Sequence, residues 1–206
     1  MTLPQLHKAV IDDDKEFIIK NRDLAFQRDR HGFTAKELAL LLGKREIARE
    51  LGYHPPQEIL VSNKSMPLTL FEETFGIRYS PSIAFKQYDS LLVTMKECPL
   101  TFRFFAGKCK EGNIRMSIDF IDAEIGFGLF CEEPLLKGGY IGEYAGLVMP
   151  LAEQKESTYL LHYPTRFFSL HPYVIDARAC ANLTRFINHS DTPNLTAGFI
   201  MDRRLV

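Results

Sequence analysis

The chain has 206 residues, 46% of them hydrophobic and 12% aromatic, enough for one large core or two smaller ones. Its formal charge is -1, which gives no net drive toward nucleic acid or an anionic membrane. No apolar run reaches membrane length and the N-terminus lacks a signal-peptide pattern. The four cysteines (Cys98, Cys109, Cys131, Cys180) form no CxxC pair, so neither a zinc cluster nor a disulfide framework is expected.

The first fifty residues have helical periodicity. "LHKAVIDDDKEFIIKN" and "ELALLLGKREIAREL" repeat apolar residues at helical spacing, and "DRHGFTA" between them is a turn that ends on Thr34, an expected N-cap. The two halves match at a shift of 30 residues, with Ala9 on Ala39, Glu16 on Glu46 and Phe17 on Ile47. This self-similarity resembles ankyrin repeats, about one and a half of them, although "TAKELA" replaces the family's Thr-Pro-Leu-His opening. So short an array cannot cover its own apolar faces and is expected to dock on the rest of the chain. An ordinary helical hairpin is the alternative.

"GYHPPQ" breaks the pattern and marks a connector. In the stretch that follows, "SPSIAFKQYDSLLVTMKE" reads as helical, ending before Pro99, and "TFRFFAG" as a short strand or a helix end. From about residue 116 the texture changes to short β-branched and aromatic runs separated by Gly and Pro: "RMSIDFI", "GFGLFCEE", "GGYIGEYAGLVM", "YLLHY", "FFSL" and "YVIDA". Strands of this length argue for small sheets.

Gly126-x-Gly128 alone is a weak signal. A dinucleotide oxidoreductase needs a third glycine and a following helix, and Cys131-Glu132-Glu133-Pro134 supplies neither. Without a helix, a glycine pair lets the backbone approach a ligand closely. "RFINHSDTPN" at 185–194 gathers more hydrogen-bonding side chains than a plain turn requires.

The ordered series is more specific. "GFGLFCEEPLLKGGYIGEYAGLV" followed by "YVIDARACANLTRFINHSDTPNL" resembles the SET-domain family of protein lysine methyltransferases over roughly residues 115–200. The resemblance implies S-adenosylmethionine as cofactor. Gly126, Phe127 and Gly128 would lie along its amino-acid end, with Asn188 and His189 beside its adenine. Arg185 would organise that loop, and Phe186 and Ile187 would anchor it in the core. Tyr144, in E-Y-x-G, and Tyr159 would line the lysine channel, with Tyr163 as the rival of Tyr159. Methyl transfer needs in-line alignment and a neutral amine. An apolar aromatic channel promotes the latter by disfavouring the ammonium form, whose ordinary pKa is about 10.4.

The series also departs from the family. Asp191 stands where many histone-directed members place a zinc-binding cysteine, so no metal is expected. The chain stops before the family's G-E-E-L-x-x-D-Y segment.

The resulting expectation is an α+β chain. Residues 1–54 form ankyrin-like helical hairpins, 55–115 a mixed connecting region, and 116–206 a β-rich SET domain of small sheets that lacks its C-terminal segment. The expected activity is methyl transfer from S-adenosylmethionine to a lysine of a basic protein, such as a histone. A second protein would bind the ankyrin-like helices, and no direct nucleic-acid or membrane contact is expected. The compartment would be cytoplasmic or nuclear, reached by delivery into a host cell if the source is an intracellular bacterium. The alternative is a non-catalytic interaction module.

Overall fold

Four helices of six or seven residues open the chain: α1 (Gln5–Ile11), α2 (Lys15–Lys20), α3 (Ala35–Leu41) and α4 (Arg45–Glu50). The computed structural model describes residues 3–97, 114–154, 157–163 and 172–197. Helices this short are marginal alone, so caps and packing must hold them. Asp14 caps α2 by accepting from the Phe17 amide at 3.0 Å. Thr34 caps α3 in a reciprocal capping box with Glu37, as expected from the sequence. Between the two hairpins, Asp29 Oδ1 accepts from the amides of His31 and Phe33, and buried His7 holds the Phe33 carbonyl through Nε2 at 2.7 Å.

The connector leads into a hairpin that the sequence did not suggest, β1 (Glu58–Val61) and β2 (Lys64–Pro67). Its two-residue turn, Ser62-Asn63, has positive φ at both positions, the twist that favours tight hairpins. Helix α5 (Leu68–Phe75) follows, then β3 (Arg78–Tyr79), β4 (Ala84–Phe85) and α6 (Tyr88–Glu97). The helix expected over the whole of "SPSIAFKQYDSLLVTMKE" is therefore confined to its second half. Ala84 and Phe85 pair in parallel with Leu147 and Val148, and this sheet contact overrides local propensity. "TFRFFAG" and "FFSL" lie outside the described residues.

The remaining strands are β5 (Met116–Asp122), β6 (Gly126–Cys131), β7 (Leu147–Pro150), β8 (Leu160–Tyr163), β9 (Tyr173–Asp176) and β10 (Cys180–Ala181). Among the described residues they complete three small sheets, with orders β2-β1-β5-β6, β10-β3 and β4-β7-β9-β8. In "GGYIGEYAGLVM" only the last residues form strand; residues 138–146 are an irregular arm.

Two apolar cores result. Leu6, Val10, Ile18, Leu38 and Ile47 of the helices share the first with Ile83, Phe85, Val148, Tyr173 and Ile175, so the helical hairpins dock on the β4-β7-β9-β8 sheet. The second gathers Ile59, Phe71, Ile77, Ile118, Ala181 and Phe186. Tyr144 packs against both. An ion pair between Arg45 of α4 and Glu72 of α5 joins the helical hairpins to the middle segment at 2.5 Å. The two side chains are only 12% and 19% exposed.

Candidate functional site

The glycine-rich strand and the polar bend meet. Gly126 opens β6, with φ +79°, and β6 runs antiparallel to β5. The bend follows a 3-10 turn, Leu183–Phe186, that packs on β6. Asn188 Nδ2 donates to the Phe127 carbonyl at 3.2 Å. Gly128 is buried at the crossing: a Cβ there would come within 2.6 Å of Ile121 Cδ1 and 3.2 Å of Asn188 Nδ2. Only glycine lets the bend approach this closely without displacing its neighbours.

The convergence has an aromatic floor. Phe75 of α5 lies 5.0 Å from Phe127 and 4.9 Å from Phe186, ring centre to ring centre, both edge-on. Phe71 supports Phe186 from 6.1 Å. Edge-to-face pairs of this kind stabilise beyond their buried area. Phe71 and Phe75 were missed in the sequence, although "LTLFEETF" places them four residues apart on one helical face.

Arg185 lies between the Tyr159 and Phe186 rings. Its guanidinium lies 4.0 Å above the Tyr159 ring, and Nη1 donates to the Arg178 carbonyl at 3.3 Å. Arg178 is held in turn by the buried carboxylate of Asp176. Arg185 Nε is buried and has no hydrogen-bond partner among the described residues. An open recess beside this stack is lined by Gln154, Ser157, Thr158, Tyr159 and Arg178. Tyr163, the rival of Tyr159, is buried in the first core, so of the two tyrosines it is Tyr159 that lies under Arg185.

Tyr144 is partly buried, and its phenol pKa is pushed up to about 12. Burial is the main cause, the Arg185 charge works against it, and Asp176 and Tyr159 add to the rise. A phenol of that pKa is a neutral donor across the physiological range.

The structure therefore brings Gly126, Phe127, Gly128 and Asn188 together, and groups Arg185, Tyr159 and Tyr144 around the same Phe186 core. One expectation needs correction. Ile187 was expected to anchor the loop in the core, yet it is 38% exposed, because the chain leaves the 3-10 turn there and only Phe186 points inward. The His189 side chain is 90% exposed, and its one described polar partner is Asp191, 3.4 Å away.

Residues 126–206 match the SET domain family model. Over 79 residues the chain is 37% identical to the human histone-lysine N-methyltransferase SETD1A. Over 84 residues it is 31% identical to the H3 lysine-9 specific histone-lysine N-methyltransferase SUVH1 of Nicotiana tabacum. These alignments cover 36% and 34% of the chain, but only 5% and 12% of the two relatives. Among solved structures, Arabidopsis thaliana SUVH6 in complex with SAM is similar at 26% identity, with a TM-score of 0.34, over 39% of this chain and 20% of that one.

Proposed function

We propose that this chain transfers a methyl group from S-adenosylmethionine to a lysine side chain of a basic protein, with histones as the first substrates to test. The observation that carries the reading is the Asn188–Phe127 hydrogen bond, which joins the two motif segments 61 residues apart. The match of residues 126–206 to the SET domain model, and the histone-lysine methyltransferases among the relatives, support it independently.

The residues present fit the cofactor. The open backbone at Gly126 and the neighbouring Asn188 carboxamide offer the close approach and the polar contact that an amino-acid group and a purine need. Bound S-adenosylmethionine would supply an electrophilic methyl on a sulfonium. The chain's own contribution is alignment, worth up to about 7–11 kcal/mol for well-oriented reactants. Tyr144 stays neutral and presents its phenol from a partly buried position. Arg185 keeps the Tyr159 ring in one orientation. Apolar surroundings favour the uncharged amine of an incoming lysine. The ankyrin-like hairpins would present that substrate or a second protein.

The test is incubation of the chain with methyl-labelled S-adenosylmethionine and core histones, beside calorimetry of cofactor binding. Label on histone lysine that disappears in Asn188→Ala supports the proposal. Absence of both cofactor binding and transfer would overturn it and favour the interaction module.

A further inference from the structure

The arm before β7 is irregular, yet it carries Tyr144. Its conformation is held by Glu143 from two directions. The Glu143 carboxylate accepts from the Ser82 hydroxyl and from the Ile83 amide, the latter at 3.2 Å. The Glu143 carbonyl accepts from Asn182 Nδ2 at 2.9 Å and from Thr184 Oγ1 at 3.1 Å. Asn182 also caps the 3-10 turn by accepting from the Thr184 amide, and that turn carries Arg185. Ser82 is almost fully buried at 1% exposure, and its own carbonyl accepts from buried Ser80 at 2.8 Å.

From this geometry we infer that Ser82 and Glu143 form a clamp that positions Tyr144 relative to Arg185, and that Ser82 is a positioning residue of the site although it lies outside the SET-matched residues 126–206. The physical reason is the local backbone. An irregular segment lacks ladder hydrogen bonds, so its conformation must be fixed by other partners. Here one residue offers two acceptors, and four donors satisfy them from the segment before β4 and from the 3-10 turn. A carboxylate drawn out of water needs those donors, and burial alone pushes its pKa up. Loss of the Ser82 hydroxyl leaves the carboxylate under-satisfied. The arm then gains an alternative arrangement, with the Tyr144 ring free to move.

The inference rests on the methyltransferase reading only for its consequence in catalysis; the clamp itself is read independently. The experiment labels the whole chain with 3-fluorotyrosine and follows the Tyr144 fluorine resonance, identified by its disappearance in Tyr144→Phe. In Ser82→Ala and Glu143→Ala the resonance should shift or broaden. Glu143→Gln keeps a carbonyl acceptor and should bring it back toward the native position. Ser82→Ala should also lower kcat by roughly ten- to a hundredfold with the KM for S-adenosylmethionine unchanged, as misalignment does. An unchanged Tyr144 resonance in Ser82→Ala would overturn the clamp, and it decides the matter even if Glu143→Ala fails to fold. Were the native chain to bind no S-adenosylmethionine, the functional reading would fall while the fluorine spectra still decided the clamp.

Discussion

Asn188 and Phe127 are joined by a single hydrogen bond at 3.2 Å, from an exposed side-chain amide to a strand carbonyl. Exposed bonds of this kind add little stability, about 0.5–1.5 kcal/mol. Asn188→Ala is therefore expected to leave the urea midpoint almost unchanged. In the same preparation, calorimetry should show S-adenosylmethionine binding weakened at least about tenfold, the loss of roughly one good polar contact.

Two glycines should differ in tolerance. At Gly128 an added methyl meets first the end of the flexible Ile121 side chain. At Gly146 it would stand 2.8 Å from the Asp176 carbonyl oxygen and 2.7 Å from Ile175 Cγ2. Backbone cannot move aside cheaply, so Gly146→Ala should cost about 2–3 kcal/mol and Gly128→Ala about 1 kcal/mol. Chemical denaturation of the two variants checks the order.

The Arg185–Tyr159 stack predicts that charge alone will not rescue the site. Arg185→Lys keeps the charge but loses the planar face and the fork, so about 0.5–1 kcal/mol of stability should be lost. Tyr159→Phe keeps a ring beneath the guanidinium and should be nearly neutral in the same assay. A lysine variant as stable as the native chain would remove the stack from the account.

Tyr144 gives the chain an alkaline limit. Its pKa is raised from 10.0 to about 12, so folding favours the neutral phenol. The stabilisation is complete below pH 10 and is lost as pH rises through the folded value. Melting temperature should fall between those limits, and less steeply in Tyr144→Phe. Parallel curves for the two proteins would contradict this.

The Arg45–Glu72 pair anchors the helical hairpins. Glu72 also accepts from the Tyr79 amide at 2.7 Å, so losing the carboxylate leaves both Arg45 and that amide short of a partner. Breaking such a pair from one side costs about 3–5 kcal/mol when buried, and somewhat less at this partial exposure. Glu72→Ala should lower stability by about 2–3 kcal/mol. A double-mutant cycle with Arg45→Ala should show a coupling above about 1 kcal/mol.

The site was legible where the chemistry is local. Thr34 with Glu37, and the alternation in "RMSIDFI" and "YVIDA", follow from short-range rules that the fold obeys. The approach of Gly126–Gly128 to Asn188 follows from the family resemblance and not from any local rule. What stayed hidden depends on distant partners. Ala84 and Phe85 become strand only because β7 lies beside them. Phe75 matters only because Phe127 and Phe186 arrive from other parts of the chain. Ser82 looks like an ordinary loop serine until Glu143 closes over it.

Among the described residues, each of the three sheets combines strands from both sides of residue 126: β1, β2 and β5 with β6, β3 with β10, and β4 with β7, β8 and β9. A fragment trimmed to the SET-matched residues would lose the larger part of each apolar core and expose the remainder together with raw strand edges. Such edges recruit other chains, so the excised piece should precipitate rather than fold. The smallest workable unit is set by this weaving and reaches back into the N-terminal helices.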